Sequence, residues 1–110
     1  MQTIIVRLNP VLMRNPDLDI RYVLPDTVEA YTDNSIMYQG YDYLNDSNHS
    51  IGIWLSCMNA ERDYLRVLEC FREHPILNND LLHCAEIYIS TDEVAKLEDC
   101  IKVYPLNSLE

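Results

Sequence analysis

Residues 33–56 read DNSIMYQGYDYLNDSNHSIGIWLS, two alternating apolar runs separated by Asn45, Asp46, Ser47, Asn48, His49 and Ser50. Aromatic and β-branched residues suit a pleated, half-buried surface, whereas a cluster of Asn, Asp and Ser competes for backbone hydrogen bonds and ends a ladder. The stretch therefore predicts a β-hairpin. In its second strand Ile51, Ile53, Leu55 and Cys57 form one uniformly apolar face and Gly52, Trp54 and Ser56 the other, which puts Trp54 on the outer side of the sheet, partly exposed. The first strand has no single parity. Ile36, Tyr38 and Leu44 oppose Met37, Tyr41 and Tyr43, and Gly40 marks a candidate bulge that changes the face.

The flanking segments supply the rest of an α+β domain. Thr3 to Leu8 alternates as a short strand ended by Asn9-Pro10. Asn15-Pro16-Asp17 resembles a helix start, predicting a helix from Pro16 to Leu24. Pro25 should break it, and a second short helix should run to Tyr31. Asn59 caps the longest helix, Ala60 to His74, whose Tyr64, Val67, Leu68 and Phe71 make one apolar stripe and which Pro75 stops. Leu82 to Ile89 alternates as a further strand. Ser90-Thr91-Asp92-Glu93 fits a capping box and predicts a helix from Thr91 to Asp99 that buries Val94, Leu97 and Cys100. Ile101 to Tyr104 closes the chain as a strand that Pro105 confines to an edge. This order matches a split βαβ, ferredoxin-like antiparallel sheet with helices on one face, plus an extra C-terminal helix and edge strand. Residues 1–110 form one domain, since the length suits a single core and no linker composition interrupts it.

Net charge is −10, from 18 acidic and 8 basic residues. Direct nucleic-acid binding needs Lys and Arg to displace condensed counterions, and no basic patch is present. An anionic membrane is disfavoured for the same reason. The N-terminal residues lack the pattern of an export signal and no apolar run approaches a membrane span, so the expected location is the cytoplasm. Cys57, Cys70, Cys84 and Cys100 are 13, 14 and 16 residues apart, without the close pair of a structural zinc site, and each has apolar neighbours. They read as buried thiols, and neither metal nor cofactor is expected.

No glycine-rich phosphate loop, nucleophile elbow or helical histidine pair occurs. His83 and Cys84 are adjacent in a predicted strand and so point apart. Asp42 with Asp46, or Glu86 with a neighbouring carboxylate, is the remaining acid/base pattern, and solvated carboxylates are the commoner meaning of both. The expected function is not enzymatic. Helices on one face leave the other open, where parity places Arg7, Trp54, Glu86 and Tyr88, with Tyr41 and Tyr43 joining them if the break at Gly40 turns their strand over. Aromatic sheet faces also stack RNA bases, but those platforms carry cations and this one carries Asp42, Asp46 and Glu86. Rings of this kind either pack on one another or anchor a protein partner. The candidate partner-binding residues are Asp33, Tyr38, Tyr41, Asp42, Tyr43, Asp46, Trp54, Glu86 and Tyr88.

A small acidic α+β chain that carries Tyr31, Asp33, Tyr38, Tyr41, Asp42, Tyr43, Asp46 and Trp54 on such a surface resembles the bacterial toxin-immunity proteins paired with contact-dependent growth inhibition or polymorphic nuclease toxins. The resemblance implies a non-catalytic, cytoplasmic protein that binds a cognate basic nuclease and blocks its active site or its substrate path. The competing reading is a ferredoxin-like regulatory or small-ligand-binding domain that forms a homodimer through the open sheet face, with a small enzyme third.

Overall fold

The computed structural model describes residues 1–105. The elements are β1 (Gln2–Leu8), α1 (Ile20–Tyr31), β2 (Met37–Tyr43), β3 (Ile51–Cys57), α2 (Ala60–Glu73), α3 (Leu81–Cys84), β4 (Ala85–Ser90) and β5 (Ile101–Tyr104), with single 3-10 turns at Pro10–Leu12 and Leu97–Asp99. Together they make an α+β domain around a five-stranded antiparallel sheet of order β2-β3-β1-β4-β5.

β1 lies at the centre of the sheet, with Ile4, Val6 and Leu8 on one face and Thr3, Ile5 and Arg7 on the other. Ile4, Val6 and Leu8 stand in rows with Leu55, Ile53 and Ile51 of β3 on one side and Ile89, Ile87 and Ala85 of β4 on the other. α1 and α2 close over these rows with Ile20, Leu24, Val28, Val67, Cys70 and Phe71, all buried. α2 forms where the sequence predicts it. The Asn59 side chain accepts from the Arg62 amide at 3.1 Å, and His74 ends the helix. The predicted strand from Leu82 is corrected at its start: the Asp80 carboxylate caps Leu82 at 3.2 Å and winds residues 81–84 into one helical turn before β4 begins.

Two helix expectations fail, for different reasons. α1 is one helix from Ile20 to Tyr31 with Pro25 inside it. Leu24, Pro25 and Val28 are all buried in the core, and this packing offsets the one intrahelical bond that proline forfeits. Asn15 caps no helix; its backbone and side chain are instead clamped to buried Asn79 and to Leu77 by three hydrogen bonds of 2.7–3.0 Å. The capping box at Ser90 also does not start a helix. Ser90 Oγ accepts from the Asp92 amide, and residues 91–96 cross the helix-free face of the sheet as an irregular strap.

The strap is held by donors from the sheet beneath it. Thr3 Oγ1 donates to the carbonyls of Asp92 and Glu93, at 2.8 and 3.1 Å, and Trp54 Nε1 donates to Ala95 O at 2.9 Å. A helix would spend those carbonyls internally and leave the buried threonine hydroxyl without a partner. Val94, predicted to be buried, is 89% exposed, Leu97 and Cys100 are only partly covered, and the expected C-terminal helix reduces to the 3-10 turn at Leu97–Asp99. β5 does form the predicted edge strand.

Trp54 lies on the helix-free face, half-buried, as parity predicts, and its six-membered ring sits over Gly52. A Cβ at Gly52 would lie 2.6 Å from Trp54 Cζ3. Gly52→Ala should therefore displace the ring and weaken the strap, costing about 1–3 kcal/mol by overpacking and shifting the emission of this sole tryptophan to the red. Denaturant unfolding followed by fluorescence checks it; an unchanged midpoint and spectrum would contradict the contact.

Candidate partner-binding surface at the hairpin

A bulge decides where the tyrosines go. Tyr38 pairs with Leu55, but after a register shift Gly40, at φ +147°, pairs with Trp54, so that Tyr41 and Tyr43 stand opposite Ile53 and Ile51. Both rings thus lie on the helix side of the sheet, where they meet α1, and not on the helix-free face. Tyr41 packs edge-on against Tyr22 at 6.1 Å and against Tyr43 at 5.7 Å. The Arg21 guanidinium lies 4.7 Å from the Tyr22 ring centre and 5.5 Å from that of Tyr41, and it donates to Tyr43 Oη at 3.0 Å. Tyr22, Tyr41 and Tyr43 remain exposed. Arg21 and Tyr22 were not legible as site residues, because their only signal is an arginine and a tyrosine on the polar side of a helix.

β2 is an edge strand, and its backbone is part of this surface. The Leu44 amide donates to Ser50 O, which makes that pair hydrogen-bonded; alternation then turns the amides and carbonyls of Tyr41 and Tyr43 outward. Further along, Glu29 of α1 accepts from the Tyr38 amide at 2.9 Å and closes that part of the edge. Tyr38 itself is half-buried against the core. Tyr31 lies between the helices, its hydroxyl donating to Glu69 and Glu73, and the Glu69 bond first, with burial, raises its pKa. Asp33 is exposed at the turn after α1, at φ +53°.

The helix-free face is not open. Ile5, flanked by Trp54 and Tyr88, has no exposed surface. Beside it Arg7 pairs with Asp46 and lies 3.6 Å from Glu86, which in turn meets Lys102 at 3.2 Å and accepts from Tyr88 Oη at 2.9 Å. Asp46, Glu86 and Tyr88 are therefore half-buried and engaged within the chain. Asp46 is also the keystone of the hairpin loop, accepting from the amides of Asn48 and Ser50 at 3.0 Å each. Its carboxyl is held well below the usual range by the Ser50 amide first and then by Arg7.

Asp42 and Trp54 belong to a third group. With Gln39, Gly40, Thr3 and the strap residues Glu93, Val94 and Ala95 they line a cleft of about 390 Å³. Glu93, which the sequence pattern assigns to a cap, thereby lines the same cleft as Asp42. Among the described residues no group of His, Cys, Asp and Glu is placed to hold a metal, and no helix is long and apolar enough to cross a membrane. His83 is exposed and Cys84 buried at the end of α3, with the Cys84 thiol against Asp80 O. No family model, characterised protein or solved structure matches the chain.

All four cysteines are free, and burial pushes the thiols of Cys57, Cys70 and Cys84 up to about 11. At neutral pH these three should resist a thiol reagent in the folded chain, with half-exposed Cys100 reacting first and all four titrating after unfolding without reductant. Fast native labelling at Cys84 would show a different environment. A second outcome concerns Asp46. Because its folded pKa is depressed, its contribution is present above the ordinary carboxylate pKa and is lost as pH falls towards the folded value. Asp46→Ala should destabilise the chain at pH 7, and the gap to the wild type should shrink as pH drops below about 4. Unfolding curves from pH 7 to 3 test this, and a gap independent of pH would rule out the carboxylate as its source.

Proposed function

We propose that this chain is an immunity-type protein that binds a cognate basic protein, a nuclease toxin, in the cytoplasm and neutralises it by covering its active site or substrate path. The observation that carries the proposal is the free β2 edge, where exposed Tyr22, Tyr41 and Tyr43 surround outward-facing backbone groups in a chain of net charge −10. Tyrosines already braced by Arg21 and by one another offer large contact area with little further loss of rotamer freedom. Around them Asp33 and Asp42 are exposed and make no ion pair among the described residues. Long-range attraction would bring a basic partner in, and the rings would hold it.

The fold reading that accompanies this is a ferredoxin-like one. Without the 3-10 turns and α3, the elements run β1-α1-β2-β3-α2-β4, and the strand order β2-β3-β1-β4 is that of a split βαβ sheet, to which β5 adds an edge. The competing homodimer draws no support from the helix-free face, since the strap and the Arg7 network occupy it. The proposal rests on surface chemistry and not on the fold.

The test is to measure both rate constants against the product of the neighbouring gene across a salt series. Association should reach about 10⁸ M⁻¹s⁻¹ at low salt and fall steeply as ions screen the field, while dissociation should change little. Tyr41→Ala or Tyr43→Ala should raise the off-rate by an amount worth about 2 kcal/mol, and Asp42→Asn should slow association. Absence of binding would remove the immunity reading, and wild-type off-rates in both tyrosine variants would remove its placement on this edge.

A further inference from the structure

The cleft between the hairpin and the strap has a one-sided chemistry. Its lining includes two exposed carboxylates, Asp42 on β2 and Glu93 on the strap, neither of which makes a side-chain ion pair or hydrogen bond among the described residues. Gln39 donates its amide to Ser56 Oγ at 3.0 Å, which leaves its carbonyl oxygen as a third acceptor. Two side-chain donors along the cleft are already used, Thr3 Oγ1 on the Asp92 and Glu93 carbonyls and Trp54 Nε1 on Ala95 O. What Trp54 has left to offer is its aromatic surface. No Lys or Arg lines the space.

A recess that offers two unpaired carboxylates, a free carbonyl oxygen and an indole, with no cation of its own, is complementary to a donor-rich cation. Of the two candidate side chains, a guanidinium matches it better than an ammonium: it is planar and weakly hydrated, stacks on indole, and presents five N–H groups to acceptors on more than one side. At about 390 Å³ the space has room for such a side chain. We propose that this cleft is a receptor for a single arginine side chain of a basic protein partner, seated against Trp54 between Asp42 and Glu93. The identity of the donor as a protein rests on the immunity reading; the chemistry of the recess does not.

The construction of the cleft supports a built site over an accident of packing. Gly52 leaves room for the Trp54 ring, and the indole N–H fixes the strap that carries Glu93. The bulge before Gly40 sets Asp42 opposite Gly52 on the strap side, while Tyr41 turns to α1. One arginine would thus be gripped by groups from β2, β3 and the strap.

The experiment titrates Nα-acetyl-arginine amide into the folded chain at constant ionic strength and follows the fluorescence of the sole tryptophan together with backbone amide shifts. The lysine and citrulline counterparts serve as comparison ligands. The expected result is a saturable response with arginine, a weaker one with lysine and none with citrulline, with shifts confined to residues 39–42, Trp54 and 93–95. Asp42→Asn and Glu93→Gln should each weaken arginine binding about threefold, the scale of an exposed ion pair, while Glu61→Gln, the same charge change on exposed α2, should leave it unaltered. A linear response, equal effects of arginine and citrulline or of arginine and lysine, or equal weakening by Glu61→Gln would each overturn the proposal. Because no partner protein enters this titration, its failure is distinguishable from failure of the rate measurements against the toxin.

Discussion

Ile5 has no exposed surface, yet it stands on the face of the sheet that carries no helix. One aliphatic side chain on the second face of the central strand, between Thr3 and Arg7, is covered as well, and this second cover is the part that shapes the surface. Trp54 and Tyr88 flank Ile5, and the strap crosses above with its carbonyls bound by Thr3 and Trp54. Burying that aliphatic side chain is worth about 1.5–3 kcal/mol, whereas a helix of the length of residues 91–99 is marginal on its own. The cleft and the removal of the open sheet face both follow from this cover.

Charge is partitioned in the same way. Arg7, in the centre of the sheet, sits beside Asp46 and Glu86, and Lys102 completes the row, so four of the charges on the helix-free face serve the fold. Two of the eight basic residues are thus consumed there, and Arg62 is consumed by buried Asp63. The carboxylates left unpaired at Asp33, Asp42 and Glu93 surround the hairpin.

The two groups of aromatic residues do different work. On one side of the hairpin Tyr22, Tyr41 and Tyr43 are held around Arg21 beside a free backbone edge; on the other, Trp54 is pinned by its indole N–H and presents only its ring. A single extra residue in β2 separates them, since without the bulge Tyr41 would share a face with Trp54. Both groups are stiffened before any partner arrives, which reduces the entropy that association would cost.

The hairpin, the cap and stripe of α2, the parity of β3 and β4 and the edge position of β5 were legible in the sequence, because period and capping are local properties that neighbouring residues enforce on one another. The burial of Cys57, Cys70 and Cys84 was legible for the same reason. The continuity of α1 through Pro25 was not, since the compensation comes from core packing against other elements. Nor was the strap: its sequence satisfies a capping box, and what overrides that preference is a pair of donors, Thr3 and Trp54, dozens of residues away. Of the expected site, the sequence located Tyr41, Tyr43, Asp42 and Trp54 on one hairpin, but it could not assign Asp46, Glu86 and Tyr88 to internal partners or supply Arg21, Tyr22 and Glu93. Residue type and periodicity determine which side chains face a surface; whether that surface is open, covered or already paired depends on groups that only the tertiary structure brings within hydrogen-bonding distance.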